Sequence, residues 1–145
     1  MAFLSSLNIS GSALTANKLR MEVISQNLAN ANTKGPEGAY RRKLVVLSEK
    51  LDNNNFSAEL SDAINEVSSF GGVEVSAIVE DNKAFVLEYD PENPLANEEG
   101  YVEIPNINTV EEMVDMLAAS RSYEANITVF NAVKNMATKA LEIGQ

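Results

Sequence analysis

The side chains best suited to chemistry in this sequence are carboxylates, which lie close together at Glu88, Asp90 and Glu92. Glycoside hydrolysis needs two such groups held across a cleft. Asp90 and Glu92, together with Glu98 and Glu99, also offer oxygen ligands for Ca²⁺, although their spacing is not that of an EF-hand loop. Because alternating acidic residues near strand ends are usually solvated, we expect neither a catalytic carboxylate pair nor a metal site.

Other catalytic and cofactor chemistry has few residues available to it. The chain has no Cys and no His, which removes thiol nucleophiles, histidine bases, imidazole ligands and disulfides. The glycine pair at 71–72 lacks the Lys and helix that follow a phosphate-binding loop, so we interpret it as a turn. The basic run YRRK at 40–43 is either a phosphate site, an exposed strand start or a partner of the acidic middle of the chain, residues 51–108. We predict no enzyme activity and no cofactor.

Amide side chains are concentrated in SQNLANANT, where Gln26, Asn27, Asn30 and Asn32 fall within seven residues. Asn is unfavourable inside a helix because its amide competes for backbone groups. One interpretation is that Asn27 and Asn30 hydrogen bond to neighbouring helices and fix their register. The other is a frayed, capped helix end. We expect the first for Asn27 and Asn30, and the second for Asn32.

Two long segments with helical apolar periodicity carry most of the hydrophobic residues. They predict helices from residue 5 to about 33 and over 109–143. Both helices are apolar on more than one face, so we expect them to pack in an assembly. The expected assembly interface is Leu7, Leu14, Met21, Ile24, Asn27, Leu28, Asn30, Met116, Tyr123, Ile127, Phe130, Asn131, Met136 and Leu141.

Local signals predict where the two helices begin and end. Ser5 or Ser6 is expected to cap the first helix, and Gly35 with the following proline to end it. Thr109 followed by Glu112 has the pattern of a capping box at the start of the second helix.

The middle of the chain is rich in β-branched and aromatic residues and in turn signals. Strands are predicted at 40–47, 73–79, 83–89 and 101–104, with a hairpin turn at 80–82. Residues 56–70 have the pattern of a short amphipathic helix. The predicted class is therefore α+β: long terminal helices that pair as a coiled coil or bundle, with a small β-rich module between them.

The charge is unevenly distributed along the 145 residues, whose net charge is −10. Residues 1–50 carry seven Lys or Arg against three Asp or Glu, whereas 51–108 carry one against thirteen. This argues against nucleic acid or an anionic membrane as partner. It suits basic-to-acidic contacts between copies, although a solvated acidic surface explains it too.

The N-terminus MAFLSSLNIS has no basic segment before Lys18, and no apolar run approaches 18 residues. We therefore expect no cleavable signal peptide and no insertion into a membrane.

Two long stretches resemble the terminal signatures of bacterial flagellar rod and hook proteins. They are SGSALTANKLRMEVISQNLANANT at 10–33 and EEGYVEIPNINTVEEMVDMLAASRSYEAN with the residues that follow, at 98–144. The internal stretch GGVEVSAIVEDNKAFVLEYDPENPLANEEGYVEIPN at 71–106 resembles a proximal rod member of that family. One departure is Asn93, where the family's DPxHP element has His.

The resemblance implies a structural subunit of the flagellar basal body. Such a subunit is exported by the flagellar type III apparatus and assembles helically with copies of itself and other rod proteins into the drive shaft that crosses the periplasm. It implies an inner-tube domain of residues 1–35 plus 106–145, and an outer module of 36–105. The alternatives from the residues alone are a non-filamentous coiled-coil adaptor or binding module, and a carboxylate hydrolase.

Overall fold

The structure, a computed structural model, describes residues 2–35, 38–50 and 71–143. In chain order, a long helix precedes the described strands and a second long helix follows them. The elements are α1 (Ala2–Ala29), β1 (Lys34–Gly35), β2 (Gly38–Ala39), β3 (Lys43–Glu49), β4 (Val73–Glu80), β5 (Val86–Tyr89), β6 (Tyr101–Ile104) and α2 (Thr109–Ile143). The predicted α+β class with long terminal helices and short antiparallel strands is confirmed.

The second helix has the predicted bounds, but the predicted capping box at its start is wrong. Asn108 is the N-cap, because its Oδ1 accepts a hydrogen bond from Val110 N at 3.1 Å and its carbonyl accepts one from Glu112 N at 3.0 Å. Glu112 does not fold back onto the cap, since its carboxylate bonds to Arg42 instead. The helix therefore begins at Thr109 with its preceding residue as the cap.

The first helix begins earlier than predicted, so Ser5 and Ser6 lie inside it and neither is the cap. The three residues that precede them are Ala2, Phe3 and Leu4, and none of these side chains breaks a helix. The sequence thus contains no signal that would delay the start until the serines.

The end of α1 is capped by Asn30 rather than by the predicted Asn32. Asn30 Nδ2 donates to the Gln26 carbonyl at 2.8 Å, and Thr33 Oγ1 donates to Asn30 Oδ1 at 3.1 Å. Turns follow the last helical residue, Ala29, four residues before the predicted end. A single amide therefore closes the helix and begins the turn.

The described strands form three antiparallel pairs, β1–β2, β3–β4 and β5–β6. Backbone bonds from Asp81 N to Arg42 O, at 2.8 Å, and from Lys50 N to Gly72 O, at 3.0 Å, close the two ends of β3–β4. The predicted hairpin at 80–82 is wrong, because β4 pairs with the preceding strand and β5 with the following one.

Most of the predicted strands are present, with shifted ends. The strand predicted at 101–104 has those bounds, and that at 73–79 is one residue longer. The strand predicted at 83–89 begins at Val86, and that at 40–47 begins at Lys43. The helix predicted at 56–70 lies outside the described residues.

The loop that joins β5 to β6 is held by hydrogen bonds within itself. Asp90 N donates to Gly100 O at 3.0 Å, which closes the loop at its base. Asn97 Oδ1 accepts from Glu99 N at 3.0 Å and from Tyr101 N at 2.9 Å. One asparagine side chain therefore organises the loop's return to β6.

Gly72 allows β4 to begin against α1. Its φ is +95°, and a Cβ added there would collide with the Ser12 side chain. Ser12 Oγ accepts a hydrogen bond from Val73 N at 3.1 Å and donates one to the Ile9 carbonyl at 2.8 Å. This contact requires a glycine, in agreement with the turn predicted at 71–72.

The chain divides into two compact units, each with helix and strand residues. One unit comprises the described parts of Met1–Lys18, Leu47–Ser76 and Arg121–Gln145, and the other those of Leu19–Val46 and Ala77–Ser120. The second unit, called the cluster unit below, buries Val23, Ile24, Ala31, Val102 and Ala119. The predicted division into a helical domain (1–35 plus 106–145) and an outer module (36–105) stays a prediction.

Within the ranges that the structure describes, neither helix combines the length and the apolar character needed to cross a membrane.

Candidate assembly surface

The end of α1 meets the start of α2 within the cluster unit, and the contact is polar. Asn27 lies beside Glu112, and Arg20 further back on α1 lies 3.8 Å from Asp115 further along α2. The two helices therefore run antiparallel here. The residues that meet around this contact, called the polar cluster, are Asn27, Tyr40, Arg42, Lys43, Asp81, Glu112 and Asp115.

Asn27 is 1 % exposed and uses the full hydrogen-bonding capacity of its amide. Its Nδ2 donates to Lys43 O at 2.8 Å and to Glu112 Oε2 at 3.0 Å. Its Oδ1 accepts from Lys43 N at 2.9 Å and from the Tyr40 hydroxyl at 3.2 Å. The amide of Asn27 is therefore occupied by groups of its own chain, and its expected contact with another subunit stays a prediction.

Glu112 is also 1 % exposed, and Arg42 neutralises it. Arg42 Nε donates to Glu112 Oε1 at 2.6 Å, and a terminal guanidinium nitrogen contacts the same oxygen. Asp81 and Asp115 lie 3.8 Å and 3.7 Å from the guanidinium. A buried carboxylate is unfavourable alone, so this arrangement stabilises the fold only while Arg42 and Asn27 are both in place.

The cluster shifts the pKa of two of its members upward. For Arg42, burial alone would lower the pKa, but the hydrogen bond and charge of Glu112, aided by Glu111 and Asp81, outweigh it. For Tyr40, burial raises the pKa, and the negative charge of Glu112 adds to the effect. Arg42 is therefore held as a cation and Tyr40 as a neutral phenol.

The opposite face of the same helical turns is apolar and exposed. Val110, Met113, Val114 and Leu117 are spaced three, four and seven residues apart, which places them on one face. Their exposed fractions lie between 47 % and 62 %. These four residues are called the outer stripe. Exposed apolar side chains that lie together on one face are typical of a protein contact surface.

The predicted interface residues of α1 are buried or half-buried. Ile24 and Asn27 are buried within the chain. The remaining five are half-buried: Leu7, Leu14, Met21, Leu28 and Asn30.

The predicted interface residues of α2 range from half-buried to exposed. Met116, Tyr123 and Phe130 are half-buried. Exposed to solvent are Ile127, Asn131, Met136 and Leu141, the last two by 60 % and 75 %. Whether any of these residues contacts another subunit is untested.

Two features of this surface were missed from the sequence. The outer stripe has a helical spacing that is visible in the sequence, but nothing local shows which face of α2 points to solvent. The Arg42–Glu112 pair joins residues 70 positions apart, and no short-range pattern marks it.

Two of the acidic residues considered for catalysis or Ca²⁺ binding make contacts of another kind. Glu88 Oε2 accepts from Lys34 Nζ at 2.9 Å, and Asp90 Oδ2 accepts from Asn93 Nδ2 at 3.1 Å. In the described ranges, no group of three or more Asp or Glu side chains is arranged to hold a metal ion. The loop at 90–100 is thus organised by asparagines, among them Asn93.

Comparison with known proteins shows the class to which these helices belong. Residues 7–36 match the family model described as flagella basal body rod protein. Residues 98–143 match the model described as flagellar basal body rod FlgEFG protein C-terminal. The first match covers most of α1 and the second covers β6 and α2, including the polar cluster's Glu112 and the outer stripe.

Curated relatives give the particular family. The chain is 49 % identical to the flagellar basal-body rod protein FlgC of Bacillus subtilis, over 97 % of both chains. It is 41 % identical to that of Borreliella burgdorferi, over 100 % of this chain and 99 % of the relative. It is 43 % identical to that of Escherichia coli O157:H7, over the whole of both chains. The chain belongs to the FlgC family of flagellar basal-body rod proteins, and its role is structural.

Proposed function

We propose that this chain assembles into the flagellar rod through α1 and α2, which contact copies of the same chain and other rod proteins. The observation that carries the proposal is the outer stripe, because four large apolar side chains exposed on one helix face are poorly solvated. Burying such side chains against a neighbour contributes about 1.5–3 kcal/mol for each one fully covered. The outer stripe is therefore the surface on which a neighbouring subunit binds.

The exposed residues nearer the end of α2 extend the proposed contact. Asn131, Met136 and Leu141 are exposed along the helix, beyond the outer stripe. The half-buried residues of α1, with Leu14 and Leu28 as examples, flank the intrachain contact and remain partly open to a neighbour. Contact along both helices supports a helical assembly of subunits more directly than a single docking patch would.

The place of the chain in the cell follows from the same proposal. A rod subunit belongs to the basal body, where the rod crosses the periplasm and transmits torque for motility. Its export there by the flagellar type III apparatus is supported by its family alone. A structural role without catalysis is supported by the contacts of Glu88 and Asp90, whose carboxylates bond to neighbouring side chains.

The test is a charge placed on the outer stripe. Leu117→Asp should abolish rod assembly, because an aspartate cannot be buried against an apolar neighbour without a partner. The matched control is Ser122→Asp, which adds the same charge at an exposed position on another face of α2. Both variants replace the native chain in motile cells, and swimming and the rod content of purified basal bodies are measured.

Circular dichroism of the purified chains distinguishes a loss of assembly from a loss of fold. We expect both variants to keep the circular dichroism of the parent, and only Leu117→Asp to lose rods and swimming. Normal rods in Leu117→Asp cells would contradict the proposal. If the parent chain instead formed a discrete small oligomer and was absent from basal bodies, the adaptor alternative would replace it.

A further inference from the structure

We propose that Glu112 of α2, with the receptor that binds its carboxylate, sets the axial register between α1 and α2, a role that goes beyond assembly itself. The receptor is the Asn27 amide of α1 together with Arg42, which directly precedes β3. Its parts are joined independently of α2, since Asn27 bonds to the backbone N and O of Lys43, next to Arg42. The carboxylate of Glu112 is the group that completes it.

Apolar packing alone does not define this register. The stripe Leu7, Leu14, Met21 and Leu28 repeats every seven residues, and so do Met116, Tyr123 and Phe130 on α2. If one helix slides by seven residues along the other, each apolar residue of its stripe therefore takes the place of the next one, and the apolar contacts are kept. Long helices with such a repeat need a polar contact to distinguish one alignment from the next.

The polar cluster supplies that distinction. A shift of seven residues in one direction brings Ala119 to the place of Glu112, so that Arg42 and Asn27 Nδ2 face a methyl group. The opposite shift brings Pro105, which precedes the helix. In either case a guanidinium and an amide lose the carboxylate while they remain buried, which is strongly unfavourable.

Shorter shifts meet a different obstacle. Moving α2 by three residues brings Asp115 to the receptor, but it also turns the helix by about 60°. That rotation moves the buried face of α2, on which Ala119 is 1 % exposed, out of its place. One alignment therefore satisfies both the polar receptor and the apolar face.

The absence of cysteine makes this register measurable in the full chain. Cysteines replace Ser25 and Ala118, which are exposed residues of α1 and α2 in the cluster unit. Spin labels on them report the distance between the helices by double electron–electron resonance. A shift of seven residues moves the labels by about 10 Å along the helix axis.

The decisive variant removes the receptor and its ligand together, so that no buried charge is left. Asn27→Leu, Arg42→Met and Glu112→Leu are combined in the labelled chain. We expect a melting temperature below that of the parent, because Asn27→Leu leaves the backbone N and O of Lys43 without their partner. We also expect the single narrow distance of the parent to split, with a second population at the distance set by an additional axial offset of about 10 Å between the labels.

Two controls separate register from stability. Arg20→Gln removes an exposed ion pair between the same helices without changing a residue of the polar cluster, and should keep the single distance. Glu112→Gln keeps an acceptor for the receptor, so it should lower the melting temperature and still keep the single distance. A single narrow distance in the triple variant, or a broad distribution in the parent, would overturn the proposal.

Discussion

In the first turns of α2, the polarity of the buried and exposed faces is the reverse of that in an ordinary surface helix. Such helices bury an apolar stripe and expose charged residues. Here Glu112 is buried on the inner face, whereas Val110, Val114 and Leu117 are exposed on the outer face. The inner face is completed by the chain's own Asn27 and Arg42.

This difference indicates that the two faces are suited to different partners. The inner face suits residues of the same chain, and the outer face suits another molecule. The inner contact has to be unique, which directional hydrogen bonds and a buried charge pair ensure. In the assembly that we propose, the outer face binds a neighbouring subunit by non-directional apolar contact. Family membership accounts for this division, because a rod subunit needs both a defined shape and an adhesive surface.

The largest loss of stability should come from Arg42→Met, which leaves Glu112 buried without its cation. We expect the free energy of unfolding to fall by about 3–5 kcal/mol, measured by urea denaturation. Arg20→Met is the matched control, because its ion pair with Asp115 is about 39 % exposed on each side chain. That change should cost no more than about 1 kcal/mol. Equal losses in the two variants would mean that the inner face is not specially dependent on its charge pair.

A smaller loss of stability should follow from removing the side chain of Asn108, the N-cap of α2. Asn108→Ala deletes the acceptor for Val110 N and should lower stability by about 1 kcal/mol. Thr109→Ala serves as the control, and should change stability by less than about 0.5 kcal/mol, as is usual for surface substitutions. The reverse order of effects would restore the capping box that the sequence suggests.

The smallest effect should be a pH dependence that originates at Tyr40. Its pKa is raised above the ordinary 10.0, so the folded chain keeps the phenol proton to higher pH than the unfolded chain does. The contribution is complete below about pH 10 and is lost as the pH rises through the folded-state value.

Tyr40→Phe is the comparison that isolates this contribution. Urea denaturation of both chains from pH 8 to 11 should show the stability advantage of the parent shrinking above about pH 10. Parallel stability curves over that range would exclude Tyr40 as the origin. Below pH 9 the parent should be more stable by about 1 kcal/mol, because its hydroxyl donates to Asn27.

Features encoded by neighbouring residues were predictable from the sequence. The apolar repeat of α2 and its lack of internal Gly or Pro gave both of its ends, and the β-branched and aromatic residues of β6 gave that strand. The resemblance of the terminal segments gave the family, which the relatives confirm.

Features that depend on distant residues were not predictable in the same way. The cap of α2 was misassigned because Glu112 is drawn toward Arg42, far away in the sequence. The amides near Asn27 suggested a neighbouring helix, but the groups that satisfy Asn27 include a strand backbone that no helical pattern reveals. Tertiary contacts therefore overrode local signals at the positions that matter most for the site.

The self-bonded loop between β5 and β6 has a consequence for the order of folding. Its backbone bond from Asp90 to Gly100 closes a short segment, whereas the bond from Asn27 to Glu112 closes one of 85 residues. The entropy lost on closing a chain segment grows with its length. We therefore expect the loop and its hairpin to form early, and the contact between α1 and α2 to form last. The outer stripe then takes its final place only when the contact between α1 and α2 has formed.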